Sequence, residues 1–310
     1  MHSSRQHAAH RLLSTIPVLF GAITLVFVTM RILPGDPTEV LVAQGGGTAA
    51  DVATLRREYG LDQPLGLQYF SFLLDLVRGN LGRSLFTNQR ISQIIAQQAP
   101  ATISLAGAAL AVAIGIGLPL GIVSATRQGS WLDTFCVGIS LVGVSVPIAL
   151  SGIAMVLFFS LTLRWFPATG QGTLRHLILP AAVMGFASAG SIARLVRTQL
   201  VDVLNEEYIY VARAKGLAEN HILVFHALRN ALIPVLTLIG LQFGFMLGGA
   251  VVTESVFARQ GLGSTLVDAI LRQDYPVVQG IVIVSAALYT AINLIVDMSY
   301  CYLDPRICRE

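Results

Sequence analysis

The sequence predicts an all-α integral membrane protein with six transmembrane helices. Of its 310 residues, 54% are hydrophobic and only 12% are charged, and the mean hydropathy is +0.70. About a quarter of the residues of a soluble domain are charged, so this chain needs a bilayer rather than water around it. A membrane-spanning helix requires about 20 mostly apolar residues. Six segments meet that requirement: residues 12–33, 100–126, 132–163, 177–198, 231–257 and 277–302.

The first apolar segment is expected to remain in the protein as a span. It continues to Met30 and ends in Leu33-Pro34-Gly35-Asp36-Pro37, whereas a signal peptide has a shorter apolar region and a small-residue cleavage site. Residues 34–98 are amphipathic and mixed in charge, which predicts a folded loop of short helices outside the membrane. We therefore divide the chain into residues 1–98, the first span and its loop, and residues 99–305, a five-helix core.

The placement of charges leaves the orientation of the chain open. Arg5 and Arg11 precede the first span and favour a cytoplasmic N-terminus by the positive-inside rule. Six spans put both termini on the same side of the membrane. With the N-terminus inside, however, several arginines of short loops lie outside: Arg164, Arg175, Arg259 and Arg272.

Small residues recur at four-residue spacing in three of the spans, which places them on one helix face. In lipid, such faces let helix backbones approach closely. Ordinary bundle packing explains them, and helices that slide or rock against one another are the alternative. Pro119 and Pro147 lie inside the second and third spans and are expected to bend them. The small residues are Gly107, Ala111, Gly115, Gly117 and Gly121 in the second span, Ala181, Gly185, Ala189 and Ala193 in the fourth, and Gly240, Gly244 and Gly248 in the fifth.

The sequence contains no motif of an enzyme or of a metal site. The phosphate-binding pattern GxxxxGK[ST] is missing, because the only lysine, Lys215, precedes a glycine instead of following one. HExxH and GxSxG are also missing. The six histidines have no ligand spacing, and Cys136, Cys301 and Cys308 form no CxxC pair. We expect no catalytic residue, no metal ligand and no disulfide.

Ionisable residues lie near the ends of the predicted spans, at Arg194, Arg197, Glu254 and Asp297. A proton- or sodium-coupled carrier usually needs such groups at the middle of the membrane, so this distribution argues against one. Glu254 is expected either to meet a protein or solute outside the membrane or to form a cap or ion pair.

The polar stretch 199–230 between the fourth and fifth spans is the most informative part of the sequence. It predicts a helix, a turn at Gly216, where glycine can adopt a positive φ, and a second helix that leads into the fifth span. A short helix with small residues at Ala212 and Ala214 can lie in a groove on a partner protein. A solvated linker is the alternative.

This stretch resembles the coupling loop of ABC importer permeases. The resemblance is closest to the dipeptide, oligopeptide, glutathione and nickel group. The general motif begins with Glu-Ala-Ala, whereas this chain has Tyr210 and Val211 and keeps Ala212 and Gly216, a departure that is usual in the peptide group. The matching words are Tyr210-Val211-Ala212-Arg213-Ala214-Lys215-Gly216 and His226-Ala227-Leu228-Arg229-Asn230-Ala231-Leu232-Ile233-Pro234.

Similar words of that group follow one another along the whole chain, beginning with the turn after the first span. The long loop after that span resembles the first, B-type permease. The stretch 241–249 resembles peptide and glutathione members. The other matching words are Gly60-Leu61-Asp62-Gln63-Pro64-Leu65, Gly79-Asn80-Leu81-Gly82-Arg83-Ser84, Asp274-Tyr275-Pro276-Val277-Val278-Gln279-Gly280 and Asn293-Leu294-Ile295-Val296-Asp297.

The resemblance implies a multi-pass subunit of the bacterial cytoplasmic membrane, with both termini and the coupling loop in the cytoplasm. It implies a homologous second permease, one or two cytoplasmic ATPase subunits that bind ATP and Mg²⁺, and an external binding protein that delivers the solute. Residues 210–216 are then expected to lie in a groove on an ATPase. Small peptides are the expected solute, with glutathione or nickel complexes as alternatives and a secondary carrier or channel as the alternative from another class. Nucleic acid is not expected as a partner, and no residue is assigned to the solute path.

Overall fold

The computed structural model describes residues 2–32, 36–45, 49–58 and 60–303, and every regular element in these ranges is a helix. The predicted all-α class is confirmed. Residues 33–35 of the predicted turn and Cys308 lie outside the described residues, as do the side chains of Asp297 and Cys301. The helices are α1 His2–Ile32, α2 Pro37–Gly45, α3 Ala49–Glu58, α4 Leu65–Val77, α5 Ile91–Thr126, α6 Trp131–Ser145, α7 Ile148–Met155, α8 Arg175–Leu204, α9 Glu207–Ala214, α10 Glu219–His221, α11 Leu228–Val256, α12 Leu262–Leu271 and α13 Tyr275–Leu303.

Five helices in the described residues are long and apolar enough to cross a membrane, and a bent pair makes a sixth span if it is counted as one. The single helices are Thr15–Ile32, α5, α8, Glu219–Val256 and Tyr275–Val296. The helix Glu219–Val256 is continuous because α10 leads through π-helical turns at Ile222–Ala227 into α11. Five of the six predicted spans therefore correspond to single helices, although the helix ends differ from those of the apolar segments.

The bend expected at Pro147 in the third span, residues 132–163, is confirmed, and it is sharp enough to divide the span into two helical segments. The chain bends by 101° between α6 and the second half of this span, which consists of α7 and π-helical turns at Val156–Thr162. Val146 and Pro147 lie between the two halves, and Pro147 cannot donate the backbone hydrogen bond that would continue α6. Pro119, by contrast, lies within α5, which is helical from Ile91 to Thr126.

The loop after the first span contains the predicted short helices, α2, α3 and α4. Asp36 accepts hydrogen bonds from the backbone N–H and the hydroxyl of Thr38 at the start of α2, and it forms an ion pair with Arg56 of α3. Burial raises the pKa of Asp36, but the hydrogen bonds from Thr38 and Arg56 outweigh burial and hold the pKa below its ordinary value. The Asp36 carboxylate thus links two helices of the loop.

Two of the sequence motifs that resemble the permease group lie in contact in the folded chain. Ser84 Oγ donates a hydrogen bond to Asp274 Oδ2 over 2.5 Å, and the Leu85 N–H donates to Asp274 Oδ1 over 3.2 Å. A methyl group on Gly280 of α13 would clash with Ile91, the fully buried first residue of α5. These contacts attach the end of the long loop to the start of the last span.

Helices α5 and α8 form the centre of the bundle and contact each other through small residues. A Cβ atom added to Gly121 of α5 would lie 2.6 Å from Val196 Cβ, and one added to Gly117 would lie 2.8 Å from the Ala189 carbonyl oxygen. One added to Gly185 of α8 would lie 2.5 Å from the Ala109 carbonyl oxygen. Ala181 and Ala189 are buried between the same helices. Gly107 and Gly115, in contrast, have no atom of this chain within 4 Å of an added Cβ.

An ion pair fastens α6 to this centre. Arg197 of α8 donates through Nε to Asp133 Oδ1 over 2.8 Å and through Nη2 to Asp133 Oδ2 over 2.9 Å. Ser124 Oγ of α5 donates to the same carboxylate over 2.5 Å, and the Gly129 N–H donates over 3.0 Å. Three helices therefore share one buried carboxylate with all its hydrogen bonds made.

The glycines of α11 give a matched test of close packing. A methyl group on Gly240 would clash with the β-branched side chain of Val296 in α13, whereas one on Gly248 would meet no atom within 4 Å. Both changes add the same helix propensity. We expect Gly240→Ala to leave the free energy of unfolding about 1–3 kcal/mol below that of Gly248→Ala, as overpacked sites do. SDS titration of the purified variants measures this difference in unfolding free energy. Equal stability of the two variants contradicts the packing described.

Candidate coupling site

Helix α9 lies across the ends of three spans. Ile209 and Ala212 on one face are buried in a cluster with Ala125 of α5, Leu200 of α8 and Ala231 of α11. Tyr210 and Val211 are turned away, with 56% and 53% of their surfaces exposed. Because one face is fixed to the bundle, the other presents apolar side chains on a rigid support.

Gly216 ends α9 as the sequence predicts, with φ of +77°. The Gly216 N–H donates to the Arg213 carbonyl, and the Leu217 N–H donates to the Ala212 carbonyl. These two bonds are the Schellman pattern of a helix C-terminus, which requires the left-handed conformation that glycine tolerates best. No atom lies within 4 Å of a Cβ added here, so the backbone angle alone selects glycine.

The segment after the turn folds back along α9, and we call residues 207–227 the hairpin. Arg213 Nε donates to Glu219 Oε1 over 2.8 Å across the turn, and this pairing raises the pKa of Arg213. Asn230 Nδ2 donates to the Tyr208 hydroxyl over 2.9 Å. The exposed apolar side chains of the hairpin are Tyr210, Val211, Leu217, Val224 and Phe225. Such an apolar surface is not expected of a solvated linker, whose exposed side chains would be polar.

Family models match nearly the whole chain. Residues 117–309 match the family described as binding-protein-dependent transport system inner membrane component, and residues 6–106 match the description of its N-terminal part. The chain belongs to this family. It is a membrane permease of a transport system, a transport subunit and not an enzyme, and the secondary carrier considered above is not supported.

Relatives of this permease are similar over almost their full length. A putative peptide transport system permease protein of Brucella abortus is 43% identical over 305 residues, which are 96% of this chain and 97% of the relative. The glutathione transport system permease protein GsiC of Pectobacterium atrosepticum is 41% identical over 297 residues, with the same two shares. An inward-facing structure of the MetNI methionine ABC transporter matches with a TM-score of 0.60 at 19% identity, over 69% of this chain and 97% of that one. That structure supports the fold alone.

The predicted coupling residues of the permease, Tyr210 to Gly216, are together in α9 and its C-terminal turn. The predicted packing residues fall into two sets. Gly240 and Gly244 face Val296 and Tyr289 of α13, while Gly248 has open space beside it. Sequence reasoning missed Glu219, which pairs with Arg213 within the hairpin, and Tyr208, which links the hairpin to α11. Asn230, the partner of Tyr208 in α11, does lie in a motif that the sequence singles out.

Glu254 is a buried cap at the other end of the permease, which is the second of the two roles expected for it. Its side chain is 1% exposed and accepts hydrogen bonds from Thr102 Oγ1 over 2.6 Å and from the Ser264 N–H at the start of α12 over 3.0 Å. The Leu262 N–H donates in turn to Thr102 Oγ1. A methyl group on Gly261 would clash with the Glu254 carboxylate. Burial lowers the pKa of nearby Arg259, and Glu254 opposes that effect.

Removing the Glu254 carboxylate tests this role. In Glu254→Ala the Thr102 hydroxyl and the Ser264 N–H lose a charged acceptor inside the protein, which costs about 2–4 kcal/mol of unfolding free energy. Ser255→Ala is the control, because Ser255 is the exposed neighbour and bonds only back to the Val251 carbonyl. We expect the control to change stability by less than about 0.5 kcal/mol. Equal losses in the two variants, measured by thermal unfolding in detergent, contradict the capping role.

Proposed function

We propose that this permease is one of the two membrane-spanning subunits of an ATP-driven, binding-protein-dependent importer of small peptides. The hairpin is the observation that carries the proposal. An exposed apolar surface on a fixed frame, between the apolar segments 177–198 and 231–257, is suited to a partner protein rather than to water. The 43% identity to a putative peptide permease supports the choice of solute.

The partner of the hairpin is proposed to be a cytoplasmic ATPase. Both termini of the permease then lie in the cytoplasm, because an even number of spans places the N-terminus, the hairpin and the C-terminus on one side. The further partners are a homologous second permease, which completes the solute path, a second ATPase and an external binding protein. The permease holds no cofactor of its own in this proposal, and the ATPases bind ATP and Mg²⁺.

The packing beneath α9 connects the hairpin directly to three of the spans, so a displacement of the hairpin can reach them. Ile209 and Ala212 contact residues of α5, α8 and α11 in one buried cluster. When ATP binding closes the ATPases, a rigid α9 moves with them, and these contacts pass the displacement to three spans together. Coupling of this kind is a rigid-body switch between two arrangements.

Recovery of partners tests the assembly. The tagged permease, purified from its native membrane in mild detergent, is expected to bring a second permease and ATPase subunits that mass spectrometry identifies. A homo-oligomer without an ATPase contradicts the proposal.

Uptake of labelled dipeptides and of glutathione into vesicles that contain the complex and its binding protein then distinguishes the two solutes. Glutathione is the second candidate because GsiC is 41% identical.

Substitution of Gly216 tests the coupling route. Valine is β-branched and unsuited to φ of +77°, whereas asparagine adopts the left-handed region more readily, and neither meets a steric obstacle. A left-handed conformation costs about 1–2 kcal/mol for an ordinary residue, enough to distort the end of α9. We expect Gly216→Val to lower uptake at least tenfold per ATP hydrolysed, and Gly216→Asn to retain most of it. Wild-type uptake and assembly in Gly216→Val contradict the route.

A further inference from the structure

The break between α6 and α7 borders a cavity of about 440 Å³. Residues 143, 144 and 146–148 form one wall, Ser188 and Ser191 of α8 form another, and Gln242 and Phe245 of α11 complete it. Ser188 lies about 20 Å from the first residue of α8 and about 24 Å from the last, at a rise of about 1.5 Å per residue. The cavity is therefore near the middle of the membrane.

The backbone at the break cannot face lipid. The last carbonyl groups of α6 and the first N–H groups of α7 have no partners within their helices, and Pro147 has no N–H at all. Val144, Ser145 and Pro147 are nevertheless exposed on the surface of the chain. Irregular backbone at this depth is tolerated only where protein covers it or where it lines a water-filled space. The cavity is that space or a site of protein contact.

The groups around the cavity are polar and uncharged. Ser188 Oγ donates to Gln242 Oε1 over 3.3 Å, which leaves the side-chain N–H groups of Gln242 to donate elsewhere. Among the residues that the structure describes, no Asp, Glu, Lys, Arg or His lines the cavity. Hydroxyl groups and one carboxamide match the peptide unit, which has one N–H donor and one C=O acceptor whatever its side chains. A carrier of varied peptides needs such side-chain-independent contacts.

We propose that this cavity binds the amide backbone of the solute in transit, with Gln242, Ser188 and Ser191 as the contact residues. The inference rests on the proposed function, because it assumes that peptides pass through the permease. The volume of the cavity is within the range of about 300–1,000 Å³ that small-ligand sites occupy. The exposed ring of Phe245 provides an apolar wall beside the polar groups.

Access of water and peptide to the cavity tests the proposal in the purified complex without its binding protein. Val144→Cys, in a chain whose native cysteines are replaced by alanine, places a thiol on the cavity wall. We expect a charged methanethiosulfonate reagent to modify it, and a transported dipeptide to slow modification at least fivefold. Phe20→Cys, exposed on the first span, is the control for a position facing lipid and should stay unmodified.

Substitution of the contact residues completes the test. Gln242→Leu, and Ser188→Ala combined with Ser191→Ala, should raise the peptide concentration that gives half-protection at least tenfold. Thr198→Ala is the matched control on α8, because the Thr198 hydroxyl is exposed and bonds only back to Arg194.

The outcomes separate this inference from the proposed function. An unmodified Val144→Cys in a complex that imports peptides means that the second permease covers the cavity, which overturns the inference alone. Modification without protection by peptide also overturns it. A complex that imports no peptide overturns the proposed function as well.

Discussion

The close approach of α5 and α8 is the contact on which the other parts of this permease depend. Glycine and alanine let the backbone of one helix lie against side chains and carbonyl groups of the other, as at Gly117, Gly121 and Gly185. Lipid offers no hydrophobic gain when helices associate, so dispersion contacts at this short distance have to hold the pair together. The buried cluster under α9 includes residues of both helices, and Arg197 of α8 and Ser124 of α5 both bind the Asp133 carboxylate of α6.

Polar anchors fix the two ends of the bundle in different ways. At the hairpin end, Asp133 has a cationic partner in Arg197 together with neutral donors. At the opposite end, Glu254 accepts from the Thr102 hydroxyl and the backbone of α12, and Asp274 accepts from Ser84 and the backbone at Leu85. Each carboxylate joins segments that are far apart in sequence. A buried carboxylate that has lost these partners is costly, so the contacts specify one arrangement of the helices.

Much of this architecture could be predicted from the sequence, because hydropathy and glycine chemistry act locally. Five spans, the hairpin and the positive φ of Gly216 follow from short windows of residues. The bend in the span 132–163 also follows from Pro147, but its angle of 101° does not, because an apolar run shows that residues avoid water and not how they divide into helices. Pro119 and Pro147 look alike in sequence, yet only Pro147 lies where the helix breaks.

The hydrogen-bonded side-chain pairs that join the ends of the bundle could not be predicted from the sequence either, because their members are far apart along the chain. Ser84 and Asp274, or Thr102 and Glu254, are more than 150 residues apart, and no periodicity connects them. Asp133 offered a signal that was overlooked, since a single acid in an apolar run is seldom left without a partner. The small residues of α5 show a different limit of the sequence. Four-residue spacing gives two sets, the first with Gly107 and Gly115 and the second with Gly117 and Gly121, and it does not show that the second set is the one that meets α8.

The helix Glu219–Val256 has a mechanical consequence. Its 38 residues extend about 57 Å without interruption, from the hairpin at one end to the Glu254 cap at the other. If the hairpin moves with an ATPase as proposed, a helix of this length would act as a lever with its pivot in the membrane. A tilt of about 10° around its centre moves each end by about 5 Å, in opposite directions, given a half-length of about 28 Å. The same tilt then widens the space beside the helix on one side of the membrane and narrows it on the other side.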